Sequence, residues 1–252
     1  MRDAIVIIPT YNEIENIEAI IRAVFSIDKS FDILVVDDNS PDLTGLKVKE
    51  LQDEFKDQLF LLSRQEKTGL GSAYIAGFKW CLEKHYEYIF EMDADFSHNP
   101  NDLIRLYNAC ALKDAGMSIG SRYVNNNVNV VNWDMKRLLL SYFASKYVRF
   151  ITRMRIHDTT AGFVCYKRKV LEAIDLDNIK FVGYAFQIEM KFKAYLQKFK
   201  IIEVPVIFTD RTKGKSKMSG GIISEAIFGV INMKLKSIFN KKDQLKAENL
   251  YK

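Results

Sequence analysis

The sequence predicts an α/β protein whose mostly parallel sheet carries helices on both faces. Short apolar runs rich in β-branched residues alternate with longer helical segments through the first half of the chain. Polar or acidic clusters follow several of these runs directly, at the ends where strands of a parallel sheet open onto a crevice. The chain has 252 residues, 48% of them hydrophobic, which is enough for one large domain with a substantial core.

The first half of the chain alternates strand and helix in a regular order. Residues 4–8 form the first apolar run, and Asn12 with Glu15 resembles a capping box that starts a helix ending near Phe25. A second short buried strand is predicted at residues 33–36. Further strands are predicted at residues 59–62, 86–91 and 117–119, and further helices at residues 42–55, with Asp42 as the cap, 70–84 and 102–112.

The second half of the chain is less regular. Residues 135–155 place apolar side chains at helical spacing with many cations between them, and residues 185–197 also predict a helix. Residues 201–208 predict a strand, which Pro205 assigns to the edge of the sheet because proline cannot donate to a neighbouring strand. An amphipathic helix is predicted at residues 219–239. Residues 241–252 form a charged tail.

The positive charge of the chain is concentrated in its second half. The net charge is +5. Residues 133–155 contain a single acidic residue, Asp134. Their basic residues are Lys136, Arg137, Lys146, Arg149, Arg153 and Arg155. This distribution predicts a polyanionic partner for the second half.

The cysteine pattern and hydropathy bear on the compartment. Cys81, Cys110 and Cys165 have neither metal-ligand nor disulfide spacing, which favours a reducing compartment. We expect no signal peptide, because the chain runs directly into a strand. No uninterrupted apolar run approaches the ~20 residues of a transmembrane helix.

The triplet Asp93-Ala94-Asp95 follows the predicted strand at residues 86–91. Two close carboxylates repel each other unless a cation lies between them. Mg²⁺ and Mn²⁺ prefer oxygen ligands and commonly bridge one or two carboxylates to a diphosphate. The triplet alone is more typical of a solvated turn, since aspartate is common in turns.

Two further polar clusters follow strands and favour the metal-diphosphate interpretation. They are residues 9–13 (PTYNE) and 37–42 (DDNSPD). If the strands are parallel neighbours, all three clusters open on one edge. Tyr11 could then stack on a base, while Glu13 and Asp38 could bind base or ribose groups. Gly69 and Gly71 predict a flexible turn. This turn would allow Lys67 to lie near a phosphate, although a lone Gly-Leu-Gly is more often only a turn.

Together these motifs resemble glycosyltransferase family 2, whose members have a GT-A fold, and within it the dolichyl-phosphate (polyprenyl-phosphate) mannosyltransferases. The similarity extends to about Ser237. The matching segments are residues 9–13, 37–42, 67–71, 93–98, 120–123 (GSRY), 158–163 (DTTAGF) and 214–217 (GKSK).

The resemblance implies a role for each matching position. It assigns nucleotide contacts to Pro9, Tyr11, Glu13, Asp38 and Lys67. It assigns a site for diphosphate and Mg²⁺ or Mn²⁺ to Asp93, Ala94 and Asp95, with Ser97 as a further metal ligand. It assigns donor and acceptor phosphates to Arg122, Arg137, Ser141, Arg211 and Lys217. Asp95, Arg122, Arg211 and Lys217 are the catalytic candidates.

The implied reaction is transfer of mannose from GDP-mannose to a polyprenyl phosphate with inversion. A phosphate monoester has a second pKa of roughly 6, so it is mostly dianionic at neutral pH and can attack without a general base. The alternatives are a UDP-glucose-dependent polyprenyl-phosphate transferase and a family 2 enzyme that glycosylates a saccharide hydroxyl. The hydroxyl acceptor requires a base, for which Glu189 is the candidate.

The same resemblance divides the domain, residues 1–240, into two halves. Residues 1–123 would bind the nucleotide sugar, and residues 124–240 would face the acceptor and the membrane. The cationic amphipathic stretch near residues 133–151 favours peripheral membrane binding over packing. For the apolar stripe in residues 222–231 the two interpretations are equally supported. We expect the cytoplasmic face of a membrane, alone or through a separate membrane subunit. We expect no nucleic acid, because the acidic cleft would repel it.

Overall fold

The computed structural model describes residues 2–124, 128–181, 183, 185–210 and 221–239. Two of the predicted catalytic residues, Arg211 and Lys217, lie outside the described residues, as does the predicted tail at 241–252.

A seven-stranded sheet forms the centre of the molecule, in the order β3-β2-β1-β4-β7-β5-β8. The strands are β1 (Ala4–Thr10), β2 (Asp32–Asp37), β3 (Leu59–Ser63), β4 (Tyr88–Glu91), β5 (Met117–Ser121), β6 (Val130–Val131), β7 (Val164–Lys167), β8 (Ile201–Pro205) and β9 (Phe208–Thr209). All pairings in the large sheet are parallel except those of β7 with β4 and β5. Strands β6 and β9 form a separate parallel ribbon.

Helices cover both faces of this sheet, and the predicted fold class is confirmed. They are α1 (Ile17–Phe25), α2 (Thr44–Glu54), α3 (Leu70–Leu82), α4 (Asp102–Ala111), α5 (Met135–Thr152), α6 (Arg168–Ala173), α7 (Phe186–Leu196) and α8 (Gly221–Phe239). Within the described ranges, none of them combines the length and the apolar character needed to cross a bilayer.

Strand β1 shows why the sheet needs two helical layers. Ile5 and Ile7 pack into one hydrophobic cluster, whereas Ala4, Val6 and Ile8 pack into a second. Successive side chains of a strand point to opposite faces, so a continuous apolar run must be buried on both sides. Such runs are typical of parallel sheets.

One local prediction was wrong, and one strand was not predicted. Asn12 does not cap a helix: its φ is 58° and its N–H donates to Ser40 Oγ, and α1 begins only at Ile17. The antiparallel strand β7 was not predicted. Its four residues are too few to show a periodicity that separates a strand from a short buried helix. The predicted edge position of the Pro205 strand is confirmed, since β8 pairs only with β5 among the described strands.

Candidate active site

The three polar clusters lie at one edge of the sheet, as predicted. Strand β1 pairs in parallel with β2 on one side and with β4 on the other, with Thr10 opposite Asp37 and Ile7 opposite Glu91. The chain therefore leaves all three strands in the same direction, at the edge where open α/β sheets bind ligands. The hydroxyl of Thr10 donates to Asp37 at 2.8 Å, which holds the first two clusters together.

Predicted nucleotide contacts line the β1 side of this edge. Lys67 Nζ lies 4.4 Å from the centre of the Tyr11 ring, so a cation and an aromatic face are adjacent there. The N–H of Glu13 donates to Thr44 Oγ1 at 3.0 Å, which anchors the loop after β1 to α2. Pro9 is half-buried at the end of β1. Tyr11 and Glu13 are likewise half-buried and Lys67 is exposed, so this part of the edge is open to solvent.

Asp38 is paired with Arg64, for which the sequence predicted no role. Its carboxylate lies 3.0 Å from Arg64 Nη1, and the Arg64 side chain also donates to Ser72 Oγ at 3.0 Å. Burial raises the pKa of Asp38 above its ordinary value, although the Arg64 charge opposes the shift. The sequence feature that could have predicted this pair is the position of Arg64 immediately after β3, at the same edge of the sheet as Asp38.

The predicted glycine turn precedes α3. Gly69 has a φ of 113°, a conformation that other residues rarely adopt. A side chain at Gly71 would meet the Phe186 ring at 2.8 Å. The two glycines therefore let α3 start close against α7, with Lys67 exposed just before the turn.

The Asp93-Ala94-Asp95 triplet follows β4 in a largely buried loop. Asp95 Oδ1 accepts the N–H of Ser97 at 3.1 Å, and Ala94 is buried between the two carboxylates. Burial and the nearby charges of Asp93 and Glu91 raise the pKa of the Tyr74 hydroxyl. The loop thus presents hard oxygen donors, the type that Mg²⁺ and Mn²⁺ prefer. No ready-made group of three acidic, histidine or cysteine ligands occurs in the described part of the chain. A cation held here would therefore share its coordination with a bound phosphate or water.

Arg122 lies in a buried ion pair with Asp158. Its Nε and Nη2 donate to the Asp158 carboxylate at 2.7 and 2.6 Å, and Nη2 also donates to Thr160 Oγ1 at 2.9 Å. Burial alone would raise the pKa of Asp158, but the Arg122 charge and hydrogen bonds hold it below its ordinary value. The predicted phosphate contact of Arg122 stays a prediction, and its contact with Asp158 was not foreseen.

Arg137 and Ser141 lie on α5, at the side of the site. Arg137 Nη1 donates to Asp210 at 2.6 Å, and its guanidinium lies 4.3 Å from the centre of the Trp133 ring. Ser141 Oγ is buried without a hydrogen-bond partner among the described residues. A cavity of about 440 Å³ is lined by both Asp95 and Asp210. The cavity therefore connects Asp95, the second carboxylate of the triplet, with the residue that binds Arg137.

His98 lines the same cavity. Its ring stacks on Phe163 with centres 4.8 Å apart, and burial lowers its pKa to about 4. His98 is therefore a neutral side chain at neutral pH. In the described part of the structure its Nδ1 has no hydrogen-bond partner.

Glu189 has a structural position. Its Oε2 accepts the N–H groups of Lys180 and Phe181 at 2.8 and 3.1 Å, and its side chain is buried. It fixes the start of α7 against the preceding loop. This geometry supports positioning and gives no support to a general base at this residue.

Known proteins with similar sequences include two bacterial enzymes. The model of the family described as glycosyl transferase family 2 matches residues 5–175. A polyprenol monophosphomannose synthase of Mycolicibacterium smegmatis is 48% identical over 228 residues, which cover 90% of this chain and 84% of that protein. An undecaprenyl-phosphate mannosyltransferase of Micrococcus luteus is 43% identical over 226 residues, covering 89% and 90% respectively.

Two solved structures illustrate the likeness in fold. One is glucosyl-3-phosphoglycerate synthase from Mycobacterium tuberculosis, in complex with Mn²⁺, UDP-glucose and phosphoglyceric acid. It has a TM-score of 0.66 and 15% identity, covering 94% of this chain and 79% of that one. The other is a mannosyltransferase from Pyrobaculum calidifontis in complex with GDP-mannose and Mn²⁺. It has a TM-score of 0.58 and 17% identity, covering 98% and 73%. The family match and the two related sequences show that the chain belongs to glycosyltransferase family 2, and its sheet and helices have the GT-A fold.

Proposed function

We propose that the protein transfers mannose from GDP-mannose to a polyprenyl phosphate, with inversion at the anomeric carbon. The observation that carries the proposal is the cavity lined by both Asp95 and Asp210. It joins Asp95, a carboxylate suited to a metal-bound diphosphate, to Asp210, which binds Arg137, a cation suited to a second phosphate. The 48% identity to a polyprenol monophosphomannose synthase supports the choice of sugar and acceptor.

A divalent cation is part of this proposal. Asp93 and Asp95 would hold it, with Ser97 beside them, because their oxygen atoms suit Mg²⁺ and Mn²⁺. When bound, the cation would neutralise the negative charge that develops on the departing diphosphate. Both solved structures named in the comparison are complexes with Mn²⁺.

The donor would lie along the edge formed by β1, β2 and β4. Tyr11 and Lys67 offer a stacking face with a neighbouring cation, and Glu13 and Asp38 offer carboxylates for base or ribose groups. Arg64 would hold the Asp38 carboxylate in place through their ion pair. A UDP-glucose donor would lie along the same edge, so UDP-glucose is the alternative to GDP-mannose that the transfer assay includes.

A phosphate acceptor needs no general base. Phosphate is already mostly dianionic at neutral pH, so it needs only to be held in line with the anomeric carbon. Arg137 and Ser141 on one side and Arg122 on the other would hold it, together with the predicted Arg211 and Lys217. The hydroxyl-acceptor alternative loses its base candidate, because Glu189 is buried and bonded to two backbone N–H groups.

A lipid acceptor is supported by the exposed face of α5 and α8. We call this the apolar face; its residues are Met135, Leu139, Leu140, Phe143, Phe150, Phe228, Ile231, Leu235 and Ile238, each at least 38% exposed. Exposed Lys136 and Lys146 lie on the same side of α5. Apolar side chains among cations are typical of surfaces that lie on anionic lipid.

We therefore propose peripheral binding to a membrane through the apolar face. The cytoplasmic side is the expected location, in keeping with three buried cysteines that are all free thiols. A separate membrane subunit could share the same face.

The double variant Phe143→Glu/Phe150→Glu should bind vesicles at least about 10²-fold more weakly, because burying each phenylalanine contributes roughly 1.5–3 kcal/mol. Binding would be measured by co-sedimentation with vesicles that contain phosphatidylglycerol. Leu112→Glu is the matched control, since Leu112 is 78% exposed at the end of α4. Equal binding by the double variant and this control would rule out the apolar face as the membrane contact.

The activity itself is tested by radiolabel transfer with purified protein. Polyprenyl phosphate and Mg²⁺ or Mn²⁺ would be supplied with labelled GDP-mannose in one reaction and labelled UDP-glucose in another. A lipid-soluble product from GDP-mannose alone, lost with EDTA, would support the proposal. A product from UDP-glucose alone would change the donor. Labelling of a soluble saccharide in place of the lipid would refute the phosphate acceptor.

A further inference from the structure

A buried chain of polar contacts runs under the site from β4 to the loop after Asp158. Gln187 Nε2 donates to Glu91 Oε2 at 2.9 Å. Lys191 Nζ donates to Gln187 Oε1 at 3.1 Å and to the carbonyl oxygen of Ala161 at 2.6 Å. Gln187 and Lys191 are one turn apart on α7, so they present both groups from the same side of that helix.

The residues that make these polar contacts are buried. Glu91 and Lys191 have no exposed surface, and Gln187 is 3% exposed. Burial raises the pKa of Glu91 and lowers the pKa of Lys191, while the charge of each opposes the shift of the other. A buried ammonium is unfavourable without partners. The ordinary structural solution at such a position is an apolar residue, as in the rest of the core.

The two ends of this series of polar contacts, Glu91 and Ala161, lie beside different parts of the site. Glu91 is the last residue of β4 and lies two residues before Asp93, on the side proposed to hold the donor. Ala161 directly follows Thr160, whose hydroxyl accepts from Arg122 at 2.9 Å, on the side proposed to hold the acceptor phosphate. Lys191 therefore joins the supports of two groups that the reaction must bring together.

We propose that Lys191 is a positioning residue. It sets the distance between the carboxylates of Asp93 and Asp95, on the side of the sugar donor, and Arg122, on the side of the acceptor phosphate. The proposal rests on the proposed function. Gln187 carries the contact to β4, and the Ala161 carbonyl carries it to the loop that holds Arg122. In reactions of this kind a displacement of about 1 Å can lower the rate by about 10²-fold.

The test replaces Lys191 with methionine, which has a similar length and no donor. Lys191→Met should lower kcat at least about tenfold, while the affinity for GDP with Mn²⁺, measured by calorimetry, changes little. Lys193→Met is the matched control, because it removes the same charge from the same helix. Among the described residues, Lys193 makes only long contacts of 3.5 and 3.4 Å to backbone carbonyls. The control should keep kcat within about twofold.

A second variant separates positioning from folding. Lys191→Met removes the hydrogen bonds that Lys191 donates to Gln187 and Ala161 beside the buried Glu91, which should lower the melting temperature. The double variant Lys191→Met/Glu91→Gln also replaces the buried carboxyl group with a neutral amide, so it should recover the melting temperature. Its kcat should stay low, because the contact to Ala161 is still missing. Glu91→Gln alone reports on the contribution of the carboxylate.

The outcomes are distinct. If either variant that carries Lys191→Met keeps a kcat within about twofold of the Lys193→Met control, Lys191 only stabilises the core and the proposal is overturned. If the melting temperature and kcat recover together in the double variant, the effect was one of folding and the proposal is again overturned. The substrates that the wild-type enzyme accepts test the proposed function. The kcat of each variant relative to wild type tests the role of Lys191, and it can be measured with whichever acceptor the wild-type enzyme uses.

Discussion

Asp95→Asn is expected to lower kcat by about 10³-fold with a melting temperature close to that of the wild type. The substitution keeps the shape of the side chain and the acceptor for the Ser97 N–H, but it removes the negative charge. The variant would bind the proposed cation weakly, and the leaving diphosphate would lose charge stabilisation of this order. Lipid-soluble product would be measured at saturating donor over a range of Mn²⁺ concentrations.

Asp53→Asn serves as the matched control for this variant. Asp53 is exposed near the C-terminal end of α2, so its neutralisation should change kcat by no more than about twofold. Full activity of Asp95→Asn, or wild-type activity that persists in EDTA, would contradict the proposed role of the carboxylate.

Asp158→Ala is expected to lower the free energy of unfolding by about 3–5 kcal/mol, because it removes the carboxylate that pairs with the buried Arg122 charge. The Arg122 and Asp158 side chains are 4% and 0% exposed, so water cannot replace the lost partner. Urea unfolding of both proteins at pH 7 gives the difference. The variant should also lose activity, since Arg122 would no longer be held beside the site.

An exposed ion pair provides the control. Arg22 and Glu54 lie 2.6 Å apart, with side chains 44% and 52% exposed, so Glu54→Ala should cost no more than about 1 kcal/mol. The pH dependence gives a second check. The pKa of Asp158 is held below its ordinary value of 3.8, so the pair stabilises the protein above that pH. Its contribution should be lost as the pH falls through the lower pKa of the folded state. A difference below about 1 kcal/mol between Asp158→Ala and wild type at pH 7 would show that the pair contributes little.

Several features could be predicted because they depend on short stretches of sequence. The apolar runs that became β1, β2 and β4 indicate strands buried on both faces. The acidic or polar residues directly after them had to meet at one edge once the strands were parallel. Local spacing also identified the glycine turn before α3, confirmed by the φ of Gly69.

Other features depended on contacts between distant parts of the chain. The insertion of β7 between β4 and β5 decides where the Asp158 loop lies, and four residues carry no sequence signal for that position. The Asn12 capping box failed because Asn12 instead donates its N–H to Ser40 in the neighbouring loop. In both cases tertiary contacts overrode the local pattern.

The sequence by itself therefore determined the α/β class, the acidic edge and the family motifs, since periodicity and residue type are local properties. Only the tertiary structure decided how the site is supported. Arg137 meets Asp210 across 73 residues, and Gln187 meets Glu91 across 96. A buried polar group must find a partner because an unsatisfied one is costly, but which partner it finds depends on the packing of the whole chain.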